Sequence, residues 1–234
     1  MEQSDNEKTV LDYLNAIRRR KRMLIILFLA AVLSALVVSL LLPKYYKATT
    51  VIIAAESGAG GLGAALSALP FAGALAGAAG IQTPADKIMV ILKSRTVAEA
   101  VIQRFNLLRT FNETRWDAGK NTWKDPDDPP LMQDAVKYLT ESVAAFSKSK
   151  EGAITLSVEW KDPRLAADMA NFYIAALTGF LNEKAINVTI QVVDRAVPAE
   201  RKSRPKIMLN MVLAGVMSVV IGIFIAFFLE YLEK

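Results

Sequence analysis

The sequence predicts an α+β domain carried between two membrane-spanning helices. Three observations predict it. Two long uncharged runs, residues 23–42 and Ile207–Leu229, stand towards opposite ends of the 234 residues. Between them, apolar residues recur at helical spacing in some segments and alternate with polar ones in others. Two strand segments alternate, so one face of their sheet is solvated and helices cover the other.

The N-terminal tail, residues 1–22, is polar and then basic. Residues 5–13 allow a short surface helix with Val10, Leu11 and Leu14 on one side, although a charged tail that obeys the positive-inside rule is the simpler account. Arg18-Arg19-Arg20-Lys21-Arg22 leads into the first run, and Pro43-Lys44-Tyr45-Tyr46 follows it. The run has 20 residues, enough to span a bilayer. A cleaved signal peptide would have an apolar region of about 7–15 residues with small residues at its end. This run ends Ser39-Leu40-Leu41-Leu42-Pro43.

Residues 43–206 have the size of one domain. Residues 46–55 read as a strand around Thr49-Thr50-Val51-Ile52-Ile53. An Ala/Gly-rich segment, 54–83, follows. It contains Gly58-Ala59-Gly60-Gly61-Leu62-Gly63, the spacing of a dinucleotide loop. The acidic partner such a fold needs would be Asp86. That residue sits in Gln82-Thr83-Pro84-Ala85-Asp86, a helix start, so no cofactor site is expected. Residues 62–80 are uncharged but weakly apolar and interrupted by Pro70. Short helices or a loop against a neighbouring subunit are expected there rather than a third span.

Residues 84–106 are expected as one helix that buries Ile88, Ile91, Leu92, Ala98, Val101, Ile102 and Phe105. Lys93, Arg95 and Arg104 face outward. Trp116 and Trp123 flank a turn-forming Asp117-Ala118-Gly119-Lys120-Asn121, which suggests a small hairpin. Such a pair is first a packing cluster and second a surface for sugar rings. Asp125-Pro126-Asp127-Asp128-Pro129-Pro130 reads as a solvated turn without calcium-ligand spacing. Residues 131–146 are expected as an amphipathic helix, and Ala153–Trp160 as a half-buried strand. Asp162 and Pro163 open a helix to about residue 183, burying Ala166, Met169, Ala170, Tyr173, Leu177 and Leu181. Residues 187–194 are the last expected strand.

The second run follows Val197-Pro198-Ala199-Glu200-Arg201-Lys202-Ser203-Arg204-Pro205-Lys206. At helical rise it measures about 34 Å. Small residues recur along it at Ala214, Ser218, Gly222 and Ala226, and along the first run at Ala31, Ala35 and Ser39. In lipid, small residues let helix backbones approach. These faces therefore pack together within one subunit or make an oligomer contact. In the tail 230–234, Tyr231 is an interfacial anchor or a phosphosite.

The net charge of +5 comes largely from the basic clusters beside the two runs. No basic face interleaved with aromatics appears, so anionic lipid headgroups and not nucleic acid are the expected partner. Cysteine and histidine are absent. Disulfides, thiol nucleophiles, Cys/His zinc sites and histidine acid–base chemistry are excluded. A glycan-cleaving enzyme would have to use carboxylates such as Glu159, Asp162 or Asp125, which show no sign of converging. The first basic cluster places both tails in the cytoplasm and the domain outside it. Arg201, Lys202, Arg204 and Lys206 argue the opposite, but the first helix usually dominates.

Three short runs occur in order between the spans: Leu92-Lys93-Ser94-Arg95-Thr96, then Asp162-Pro163-Arg164-Leu165-Ala166-Ala167-Asp168-Met169-Ala170-Asn171, then Pro198…Pro205-Lys206. Together they resemble the Wzz-type polysaccharide co-polymerases, the chain-length determinants of bacterial surface polysaccharides. The resemblance covers most of the chain. Two features depart from it. Lys202 stands where the family often has another proline, and residues 182–185 pass almost directly to the last strand where large members insert a long helical hairpin. The short form also resembles adaptor members that partner a cytoplasmic tyrosine kinase in capsule synthesis.

The resemblance implies a non-enzymatic protein of the bacterial inner membrane, without cofactor or metal. It implies a homo-oligomeric ring that works with a membrane polymerase on lipid-linked glycan. Pro198, Pro205 and Lys206 carry the motif before the second span. Lys93, Arg95, Trp116 and Trp123 are candidate contacts to a neighbouring subunit or a glycan, solvated helix charges being the simpler account of the first two.

Overall fold

The computed structural model describes residues 20–56, 83–186 and 188–232. The surface helix at 5–13, the glycine pattern at 58–63 and the uncharged segment 62–80 lie outside the described residues. In chain order the elements are α1 (Lys21–Leu41), β1 (Tyr45–Glu56), α2 (Pro84–Leu92), α3 (Arg95–Arg104), α4 (Leu107–Phe111), β2 (Trp116–Asp117) and β3 (Thr122–Trp123). Then come α5 (Met132–Tyr138), β4 (Ala144–Lys148), β5 (Ala153–Trp160), α6 (Pro163–Glu183), β6 (Val188–Asp194), β7 (Lys202–Arg204) and α7 (Ile207–Leu232). The chain divides into two compact units, Tyr45–Ser203 and a second formed by Met1–Lys44 with Arg204–Lys234.

In the domain the sheet runs β4-β5-β1-β6, and β7 also pairs with β1. The pairs β1–β5, β1–β6 and β4–β5 are antiparallel. Register sets Ala48 opposite Val158, Thr50 opposite Leu156 and Ile52 opposite Ile154, and β4 adds Ala144 and Phe146 to the same face. These residues meet Ile88 and Leu92 of α2 and Met169, Tyr173 and Leu177 of α6 in one core. The other face carries Lys47, Thr49 and Ile53, the last 43% exposed. This is the α+β arrangement that strand alternation predicts. Thr50 is polar on the apolar face and only 1% exposed. Its hydroxyl donates to the Asp194 carbonyl at 2.7 Å, where the β1–β6 register shifts between Val51 and Ile52, so it is not stranded.

Two expected helices are corrected. Residues 84–106 form two helices, not one. α2 opens on a capping box in which Thr83 and Asp86 satisfy each other's backbone N–H, with Pro84 in the first turn. It stops at Lys93, and Ser94 starts α3 by accepting from the Val97 N–H. The apolar phase runs across the break, with Ile88, Leu92, Ala98, Val101 and Ile102 all buried, which is why the sequence reads as continuous. Residues 131–146 also break. α5 ends in a π turn, Leu139–Val143, and the chain continues as strand β4. Pairing with β5 over the length of β4, and burial of Ala144, outweigh the helix propensity of Glu141, Ala144 and Ala145. Strand β7 is not anticipated by any sequence pattern.

In the other unit α1 and α7 pack antiparallel. Gly222 meets Leu24, Gly215 meets Phe28, and Asn210 meets Ser39. The face of α7 turned inward is Gly215, Ser218, Gly222 and Ala226. A Cβ on Gly222 would lie 2.6 Å from Leu24 Cδ2, and one on Gly215 3.0 Å from Phe28 Cε2. Ser39, 3% exposed, accepts a hydrogen bond from Asn210 Nδ2 at 3.0 Å. Ser218 donates to the Gly215 carbonyl at 2.7 Å. The outward faces are also apolar, with Ile25, Ile26, Leu29 and Leu33 exposed on α1 and Val212, Leu213, Val216 and Phe224 exposed on α7. Among the described residues these two helices are long and apolar enough to cross a membrane.

Candidate functional site

The tryptophans lie where four short elements meet. Asn106, in the left-handed conformation at φ 51°, turns the chain from α3 into α4. α4 carries Arg109 and Thr110, and the turn Glu113–Arg115 leads into β2. Trp116 pairs with Trp123, and Asp117 Oδ1 closes the turn by accepting from the N–H groups of Gly119 at 2.9 Å and Lys120 at 3.1 Å. The indoles meet edge to face with centroids 4.9 Å apart. Arg109 stacks its guanidinium 4.8 Å from the Trp116 ring centre. Arg115 donates to the carbonyl and the carboxylate of Asp128, and Lys124 donates to the Thr114 carbonyl, so the acidic loop is tied to the hairpin. The two tryptophans therefore form a packing cluster with each other. A cleft of about 470 Å³ opens beside them, lined by Asn106, Arg109, Thr110, Glu113, Trp116 and Ala118.

The other singled-out residues lie elsewhere. Lys93 is exposed at the end of α2, and Arg95 pairs with Glu99 one turn along α3 at 2.6 Å. The three carboxylates considered for glycan chemistry each make a local bond. Asp162 caps α6 through the Arg164 N–H, Asp125 accepts from the Asp127 N–H, and Glu159 accepts from the Ser203 hydroxyl. Asp86 receives bonds from Lys148 of β4 and from the hydroxyl and N–H of Thr83. The Lys148 bond is the chief cause that holds its pKa down to about 2.

The approach to α7 is pinned at two points. The Asn171 side chain brackets Ala196, accepting its N–H at 3.0 Å and donating to its carbonyl at 2.9 Å. Ser203 of β7 donates to the Tyr45 carbonyl and to Glu159. Pro198 is exposed between these pins, and half-buried Pro205 and exposed Lys206 precede α7. Of the small residues, Ser218, Gly222 and Ala226 are buried, whereas Ala31, Ala35 and Ala214 are half-buried.

Sequence reasoning missed Gly215 and Asn210, and the cleft residues Asn106, Arg109 and Glu113; it named Asn171 only as the end of the run opened by Asp162, not as the bracket on Ala196. Asn210 had a signal, being with Ser218 one of two polar side chains in Ile207–Leu229. The cleft residues had none, because only the turn at Asn106 brings them beside Trp116.

A family model described as Wzz, chain length determinant protein, matches residues 6–105. Over that stretch the chain is similar to Wzz-type chain length determinants. The Wzz-like residues include α1, β1, α2 and α3, whereas β4 to β7 and α7 lie beyond the match. Within them, Leu92-Lys93-Ser94-Arg95-Thr96 is the junction between α2 and α3. Leu92 is anchored in the core and Ser94 supplies the second cap. No curated protein matches the chain.

Proposed function

We propose that the chain regulates the length of a bacterial surface polysaccharide (O-antigen, capsule or exopolysaccharide) without making a bond itself. It would act with a membrane polymerase on lipid-linked glycan. The match to the Wzz family over residues 6–105 supports this reading. Two helices fit to cross a membrane, which flank an α+β domain in chain order, are compatible with it. In this reading α1 and α7 span the inner membrane, both tails are cytoplasmic and residues 43–206 are extracytoplasmic. The subunits form a ring, with the small-residue faces, the Pro198–Lys206 approach, and Lys93 and Arg95 as contacts to test. Residues 184–187 are all that separates α6 from β6. Any influence on length therefore resides in the base domain and not in a tall hairpin.

Deletion followed by gel display of surface polysaccharide tests the proposal. Loss of a modal length with polymer still made is the expected result. An unchanged profile overturns it. Loss of all polymer replaces it with the adaptor role towards a cytoplasmic tyrosine kinase.

A further inference from the structure

The cleft beside the tryptophan pair has a chemistry of its own. Among the described residues, the side chains of Asn106, Arg109 and Glu113 make no hydrogen bond or ion pair, and Arg109 only stacks on Trp116. The Trp116 side chain lines the same cleft, with its indole Nε1–H buried out of reach of solvent. The lining holds one cation, one carboxylate, one amide and one hydroxyl. A simple anion would face Glu113 and a simple cation would face Arg109. An apolar ligand would strip water from all of them without replacing its hydrogen bonds. A polyol differs, because each hydroxyl donates to the carboxylate or the amide oxygen and accepts from the guanidinium or the amide N–H. The volume lies within the range of about 300–1,000 Å³ usual for small-molecule sites.

We propose that this cleft binds an uncharged sugar unit, held by hydrogen bonds from Arg109 and Asn106 and to Glu113. Stacking is not the main force, since Arg109 and Trp123 already pack against Trp116. That the sugar belongs to the growing polysaccharide rests on the function proposed above; the hydrogen-bonding argument does not.

The test uses the full chain in detergent and saturation-transfer NMR. The probes are glucose, galactose, mannose, rhamnose, N-acetylglucosamine and short oligosaccharides cut from the host's own surface polysaccharide. At least one probe should give a saturable signal. Glu113→Gln and Arg109→Ala should each weaken it about tenfold or more, the expectation for losing a hydrogen bond to a charged group. Lys150→Ala, exposed in the turn between β4 and β5 and away from the cleft, should leave it unchanged. Near-UV circular dichroism confirms that each variant is folded. No saturable signal from any probe, or a signal that survives both charge variants, overturns the proposal. The two readings fail separately. Absent binding with a modal length lost on deletion sinks only the cleft. Binding lost in the variants, with polysaccharide unchanged on deletion, sinks only length control.

Discussion

In the domain the largest side chains point inward: Leu156, Met169, Tyr173 and Leu177 are fully buried. In the helix pair the sizes are reversed. α7 turns Gly215, Ser218, Gly222 and Ala226 towards α1 and leaves Met208, Val212, Val216 and Phe224 outside. The domain follows the rule for water, in which burying large apolar surface drives folding. The pair follows the rule for lipid, whose tails are as apolar as leucine, so close backbone approach and a few polar bonds hold helices together. This reversal is independent of the family match and is compatible with a helix pair that crosses a membrane.

The largest expected effect lies in the domain. Leu177→Ala should cost about 2–5 kcal/mol of domain stability, from lost burial and the cavity left behind. All three tryptophans of the chain, Trp116, Trp123 and Trp160, belong to Tyr45–Ser203, so the denaturant midpoint of tryptophan fluorescence reports this unit alone. The midpoint should fall while pairing of α1 with α7 stays intact. A simultaneous loss of pairing would abolish the contrast between two separately held units.

Next comes the glycine contact. Gly222→Leu forces a side chain where even a Cβ would sit 2.6 Å from Leu24, and overpacking of this kind costs about 1–3 kcal/mol. The chain has no cysteine, so an introduced pair reports without background. Disulfide formation between Ser39→Cys and Asn210→Cys in membranes should drop when Gly222→Leu is added, with the tryptophan midpoint unchanged. Undiminished crosslinking would show that the helices do not rely on close approach at this point.

How much of this was legible follows from which forces act locally. Strand β5 and helix α6 were readable because each meets its own periodicity, and Asp162-Pro163 marks the start of α6 unambiguously. The break at Ser94 was hidden because both helices share one apolar phase. Strand β4 was hidden because its residues favour helix until β5 offers a partner. At the candidate sites, the small-residue spacing picked out Ser218, Gly222 and Ala226, which are buried, but picked Ala214 where the buried residue is Gly215. Spacing of four drifts against a helix of 3.6 residues per turn. The cleft was illegible, since Asn106, Arg109 and Glu113 acquire meaning only from the turn that gathers them.

A smaller effect separates the two regions by pH. Asp86 joins the start of α2 to β4 through Lys148, and its pKa is lowered from 3.8 to about 2. A depressed carboxylate stabilises the folded state above its unfolded pKa, and that contribution is lost as pH falls through the folded value. The loss therefore falls between about pH 4 and pH 2. With the two side chains 36% and 38% exposed, solvent screening keeps it to about 1 kcal/mol or less. Asp86→Asn should flatten the fluorescence midpoint across that window. An unchanged slope would remove the bond from the account of domain stability.

The smallest effect tests the polar half of the lipid rule. Asn210 donates to Ser39 near the start of α7, and Ser39 is buried where it accepts. In a bilayer the alternative to such a bond is polar groups facing hydrocarbon, which favours it. Yet measured interhelical bonds average about 0.6 kcal/mol, since helices apart in the membrane also find partners. A double-mutant cycle with Asn210→Leu, Ser39→Ala and both isolates the coupling from side-chain volume. Pairing is read by a short thiol crosslinker between Phe28→Cys and Gly215→Cys as temperature rises. The expected coupling is about 0.6 kcal/mol, below the cost of Gly222→Leu. Additive single effects would mean that shape alone holds the pair. A coupling above the glycine effect would mean that the polar bond, and not close packing, distinguishes this pair from the domain.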